Sequence, residues 1–150
     1  MIVLLDFGVN YKGYCSDMTR TVFFGSPTAE FKRMYQTVLS AQKLAIRQFN
    51  NLKTKEIRAS GVDKSVRQYI VSKGFEPIPH SLGHGIGIDV HEKPSLSPKS
   101  RSILKNGMIF SIEPGIYLNG FGGVRIEDLF LLTDKKLKKI THSTSRIIGL

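Results

Sequence analysis

The stretch His80-Ser81-Leu82-Gly83-His84-Gly85-Ile86-Gly87-Ile88-Asp89-Val90-His91 holds three of the chain's four histidines. Three glycines surround His84, so backbone or a ligand can approach it closely. Imidazole is the commonest protein metal ligand and also a general acid or base. Alone, the stretch reads equally well as a glycine-rich turn with incidental histidines. The acids that the rest of the chain sets beside apolar strands decide between the two.

Upstream, residues 2–9 (Ile-Val-Leu-Leu-Asp-Phe-Gly-Val) read as a buried strand with Asp6 in its middle. An unpaired carboxylate there costs several kcal/mol, so it needs a partner, either a cation side chain, a backbone amide or a metal ion. Asn10–Gly13 is a turn, and Thr19–Phe24 is the returning strand. Asp6 and Asp17 therefore sit on the two arms of one hairpin, which can bring them face to face. Ser26–Asn50 is the main helix, with Pro27 in its first turn and Ser26 or Thr28 as its cap. Phe31, Met34, Tyr35, Val38, Leu39, Ala45, Ile46 and Phe49 form its core stripe. A shorter helix runs from about Asp63 to Lys73, capped by Gly74.

Downstream, residues 92–107 read as loop, with Pro94, Pro98 and the pair Asn106-Gly107. Met108–Glu113 is an apolar strand that ends on an acid and is broken by Pro114-Gly115. Val124–Thr133 reads as one strand, with Arg125 and Glu127 on one face and Val124, Ile126 and Asp128 on the other. A last short strand, about Leu137–Thr141, closes a hairpin.

With 150 residues the chain fits one domain with a real core. Its hydrophobic fraction of 41% and charged fraction of 23% are those of a folded protein. No apolar run reaches the roughly 20 residues of a membrane span, and no secretory leader opens the chain. The single cysteine, Cys15, excludes an internal disulfide and fits a reducing, cytoplasmic setting. The net charge of +10 is spread along the chain. The one dense run, Asp134–Lys139, reads as a solvated hairpin without interleaved aromatics, which argues against nucleic acid as a partner.

Five residues at or beside apolar strands remain: Asp6, Asp17, His84, Glu113 and Glu127. Four carboxylates and one imidazole suit a pair of divalent first-row ions (Mn, Co, Zn or Fe) better than a cysteine-bound structural zinc. Two like charges about 4 Å apart repel by roughly 4 kcal/mol at an effective dielectric near 20. Such a cluster in a folded core either holds metal or takes up protons. Two metals sharing a water can present hydroxide to a polarised carbonyl, a carboxylate can relay the proton, and histidines can stabilise the oxyanion.

The motifs Asp6-Phe-Gly, Tyr14-Cys-Ser-Asp17-Met-Thr-Arg-Thr, Gly83-His84-Gly85-Ile-Gly, Asp89-Val-His91-Glu-Lys-Pro94, Ser111-Ile-Glu113-Pro-Gly-Ile-Tyr117 and Gly123-Val-Arg125-Ile-Glu127-Asp128 together resemble the pita-bread metallopeptidases. The combination of Arg125 with Asp89-Val90-His91 resembles the proline-specific branch, the Xaa-Pro aminopeptidases and Xaa-Pro dipeptidases. The resemblance implies an α+β fold with helices outside a curved, mainly antiparallel sheet. It implies that Asp17 and Glu127 bridge two divalent metals, that Asp6 serves one, and that His84 and Glu113 serve the other. Glu113 would also shuttle a proton. His80 and His91 would hold the scissile carbonyl, Arg125 would order the site, and Tyr117 would line the pocket. The implied substrate is a peptide with proline in second position.

Family members carry a first half-repeat ahead of the strand of Asp6. Residues 1–150 are accordingly expected to be a single, truncated catalytic domain with exposed apolar surface and weak or no activity. The resemblance leaves the oligomeric state open between monomer and homodimer. Two rival readings are a non-catalytic binding module of the same fold and metal-free hydrolysis of a small guanidino substrate. All five ligand positions being filled weighs against both.

Overall fold

The computed structural model describes residues 1–49, 56–134 and 136–149. In chain order the elements are β1 (Ile2–Phe7), β2 (Asn10–Tyr11), β3 (Tyr14–Cys15), β4 (Met18–Phe23), α1 (Ala29–Arg47), β5 (Ile57–Arg58), α2 (Ala59–Ser72), β6 (Gly83–Gly85) and β7 (Glu92–Leu96). There follow β8 (Ile103–Leu104), β9 (Ile109–Ile112), β10 (Gly115–Leu118), β11 (Gly122–Arg125), β12 (Asp128–Leu132) and β13 (Leu137–Lys139). Strands β13-β12-β9-β6-β7 form an antiparallel sheet. Two-stranded pairs, β1 with β4 and β10 with β11, lie beside it.

Helix α1 carries Phe31, Met34, Tyr35, Val38, Ala41 and Ala45 into the core, the spacing of one helical face. Thr28 caps it by accepting from the Phe31 backbone N–H, which decides between the two expected caps. The expected end at Asn50 lies outside the described residues. Helix α2 packs beside α1 through Val62, Val66 and Ile70. Phe110 on β9 lies opposite Phe130 on β12 and 5.8 Å from the ring of Phe49. Full burial of such side chains contributes about 1.5–3 kcal/mol each.

Helix α2 starts at Ala59, four residues before the expected Asp63. Buried Ala59 and Val62 draw the first turn onto the core. Gly61 and the lack of a side-chain cap hide that start in the sequence. The segment expected as loop holds β7 and β8, an edge strand on β6 and a short pair with β5. The expected strand Val124–Thr133 is two strands. Arg125 pairs with Gly115 on β10, whereas Asp128 pairs with Ile112 on β9. Between them the Ile126 and Glu127 amides donate to Pro114 and Thr19. The chain changes partners there, and Glu127 sits at the change. Phe7, Val9, Tyr11 and Tyr14 are exposed along β1 to β3.

Candidate metal centre and its relatives

Each acid reaches the centre from a different part of the sheets. Asp6 stands opposite Thr19 in the β1–β4 ladder, so the two aspartates are not direct cross-strand partners. Asp17 precedes β4 by one residue, His84 is the middle of β6, Glu113 follows β9 and Glu127 precedes β12. One ligand atom each from Asp6, Asp17 and Glu127 lie within 4.8 Å of one another. The same is true of His84, Glu113 and Glu127, and of Asp17, His84 and His91. All five sequence-predicted ligands thus meet, together with His91, around a cleft of about 410 Å³.

Glycine makes this meeting possible. A methyl group at Gly83 would overlap the carbonyl oxygen of Ser111, and one at Gly85 that of Lys93. His84 is therefore set deep between β7 and β9. The Ser111 hydroxyl accepts from the His84 backbone N–H at 3.0 Å and donates to Glu113 Oε1 at 3.1 Å. His84 Nδ1 lies 3.0 Å from the Gly85 carbonyl, which assigns the proton to Nδ1 and leaves Nε2 as the lone-pair nitrogen. That nitrogen is 3.3 Å from Glu113 Oε1, 3.6 Å from Asp17 Oδ2 and 3.8 Å from Glu127 Oε1.

Electrostatics fit a cation-binding role. Burial first, and then repulsion from neighbouring acids (Asp17 and Asp6 on Glu113; Glu113 and Asp17 on Glu127), pushes the carboxyl groups of Glu113 and Glu127 up to about 7. Burial and the nearby Asp6 raise Asp17 as well. Glu127 is 2% exposed, and its Oε1 is the one buried side-chain nitrogen or oxygen among the described residues without a hydrogen-bond partner. A buried anionic oxygen left unpaired costs free energy. A divalent cation between these oxygens would relieve both the repulsion and the unpaired atom. The donor set, carboxylates with one imidazole, matches such an ion.

Around the ligands stands a support layer that joins Arg125, Tyr117 and His80, named from the sequence, to Thr19, which the sequence reading did not single out. The Thr19 hydroxyl donates to Glu127 Oε2 at 2.7 Å, lies 3.2 Å from Asp6 Oδ1 and accepts from Arg125 Nε at 3.1 Å. Arg125 also grips Asp6 Oδ2 at 2.6 Å and donates to the Tyr117 hydroxyl at 3.1 Å. Tyr117 in turn reaches His80 Nε2 at 2.9 Å, while His80 Nδ1 faces the Ser81 carbonyl at 2.8 Å. In that chain every proton has a place only if His80 is neutral. Burial, with Arg125 and Arg67 nearby, lowers its pKa in the same sense, against the opposing bond to Ser81. His91 lines the cleft and is exposed, its ring centroid 4.3 Å from that of His84. His80, Tyr117 and Arg125, of which Tyr117 was expected to line the pocket, are not among the residues lining this cleft.

Two further positions hold these parts in place. Asp63 and Arg67, one turn apart on α2, form an ion pair whose acid is fully buried, and Arg67 also donates to the carbonyls of Ile78 and His80. Arg20 donates to the carbonyls of Thr19 and Glu127 and to Asp128. Within the run Asp17-Met18-Thr19-Arg20, the two-residue spacing of Asp17 and Thr19 could have flagged Thr19. Nothing in the sequence points from Asp63 to the segment before His84.

Residues 1–134 match the family Peptidase_M24, metallopeptidase family M24. The chain belongs to that family. It is 45% identical over 150 residues to the uncharacterized peptidase YqhT of Bacillus subtilis, covering 99% of this chain and 41% of that one. It is 41% identical over 148 residues to the Xaa-Pro dipeptidase of Pyrococcus horikoshii, covering 98% and 41%. The solved structure of the prolidase from Thermococcus sibiricus superposes with a TM-score of 0.92 at 46% identity, over 99% of this chain and 40% of that one. The expected pita-bread fold is therefore the one observed. This M24 chain spans about two fifths of the length of the relatives it matches. Among the described residues, no helix is long and apolar enough to cross a membrane.

Proposed function

We propose that the chain carries the dinuclear centre of an Xaa-Pro peptidase, an aminopeptidase or dipeptidase acting on the bond before proline. The observation that carries this reading is the convergence of four carboxylates and one imidazole around the unpaired Glu127 Oε1. Membership of family M24 and the Xaa-Pro dipeptidase among the relatives support it. Asp17 and Glu127 would bridge two divalent ions such as manganese, with Asp6 on one and His84 and Glu113 on the other. When bound, the ions supply a water of lowered pKa and polarise a peptide carbonyl.

The chain's own residues do the rest. Glu113, 3.3 Å from His84 and 4.0 Å from His80, can hold a proton and pass it to a leaving amine. His91, free on the cleft wall, can donate to a carbonyl oxygen. His80 is committed to Tyr117, so it positions the back of the site through that hydroxyl. Arg125 and Thr19 fix the directions of Asp6 and Glu127 before any substrate enters.

The test is hydrolysis of an Xaa-Pro dipeptide and tripeptide, against the same peptides with alanine for proline, with and without added Mn²⁺. Metal-dependent cleavage confined to the proline peptides, even if weak as expected for this length of chain, and lost in Glu113→Gln, supports the reading. Equal cleavage of both sets, or cleavage untouched by a chelator, contradicts it.

A further inference from the structure

The three donor sets differ in chemistry. Asp6, Asp17 and Glu127 offer oxygen only; His84, Glu113 and Glu127 offer one nitrogen; Asp17, His84 and His91 offer two. Two imidazoles and a carboxylate make a borderline set that favours Zn²⁺ over Mn²⁺. The second and third sets both need His84. Its Nδ1 faces the Gly85 carbonyl, so Nε2 is its single ligating atom, and one nitrogen serves one cation. A cation on His84 therefore has two mutually exclusive homes, one toward Glu113 and Glu127 and one toward Asp17 and His91. The two imidazole rings already lie 4.3 Å apart, and His91 is exposed and ends no hydrogen-bonded chain among the described residues.

We propose that His91 forms an alternative zinc position with His84 and Asp17, so that the cation's identity selects which donors His84 works with. This rests on the reading of the cleft as a metal centre. A hard ion such as Mn²⁺ takes the carboxylate side and leaves His91 free to meet a substrate. Zinc takes the His91 side and removes that donor from the open wall of the cleft.

X-ray absorption spectroscopy at the metal edge of the intact chain, loaded with one equivalent of Zn²⁺ or of Mn²⁺, tests this. The expected result is two imidazoles on zinc and at most one on manganese. In His91→Asn zinc falls to one imidazole, and its affinity drops on the order of tenfold or more, as for loss of a direct ligand. Manganese affinity changes by less than about twofold, because its donors are untouched. One imidazole on zinc in the unaltered chain overturns the proposal. If zinc has one imidazole while manganese is still bound, only this inference fails. If neither ion binds, the reading of the centre fails with it.

Discussion

Glu127 and Asp128 are neighbours in the chain, and both are buried, yet the structure treats them in opposite ways. Asp128 meets Arg20 at 2.5 Å, Lys139 at 2.9 Å, the Thr141 hydroxyl at 2.8 Å and the Gln42 amide at 3.1 Å. Among the described residues Glu127 has Thr19 on one oxygen and no hydrogen-bond partner on the other, with His84, Asp6, Asp17 and Glu113 close by. The strand pleat sends one side chain toward the helix and C-terminal segment and the other toward the cleft. A buried acid whose every partner is protein holds the fold together. A buried acid left short of partners, among other acids, is suited to hold a cation.

Mutation separates the two most sharply. Asp128→Ala strands Arg20 in the interior and is expected to cost about 3–5 kcal/mol, read from denaturant midpoints. A loss below about 1 kcal/mol would erase the contrast with Glu127.

The next effect is one of pH on the metal-free chain. Glu113 and Glu127 ionise near 4.5 when unfolded and near 7 when folded. The native state thus binds more protons between those values, so stability falls as pH rises from about 4.5 to about 7 and levels off above. One carboxyl shifted that far corresponds to on the order of 3 kcal/mol. Thermal unfolding in chelator across that range checks the sign. Stability that rises with pH there would contradict the placement of these acids.

Adding Mn²⁺ should reverse that loss. At a hundredfold excess over its dissociation constant, one bound ion adds about 2.7 kcal/mol. The gain should vanish in Glu127→Ala, as judged by melting temperature with and without metal. The smallest effect sharpens the comparison from the other side. Glu127→Gln, without metal, removes a repelled charge and keeps the shape, so metal-free stability should change by less than about 1 kcal/mol or improve.

The sequence made the apolar stripes and the acids legible for different reasons. Helix α1 shows its face because Phe31, Met34, Tyr35, Val38 and Ala45, all buried, recur at helical spacing. The acids stood out because each interrupts or ends an apolar run. The strands inside residues 92–107 could not be read, since β7 is five residues with a proline and β8 is two, too short for any period to show. The partner change at Ile126–Glu127 was hidden because both strands are apolar and nothing local marks a switch of neighbours. Pairings such as Arg20 with Asp128 and Arg67 with Ile78 depend on tertiary distance alone. That is why the candidate ligands and Arg125 were named from sequence while Thr19, Arg20 and the Asp63–Arg67 pair were not.

The most direct measurement is the amount of manganese that stays with the chain after gel filtration in Mn²⁺ buffer, compared between the unaltered protein and Glu127→Ala. The account predicts two ions per chain in the former and fewer than one in the latter, with circular dichroism unchanged. Retention of no manganese by the unaltered, folded chain, or of equal amounts by both, would contradict it.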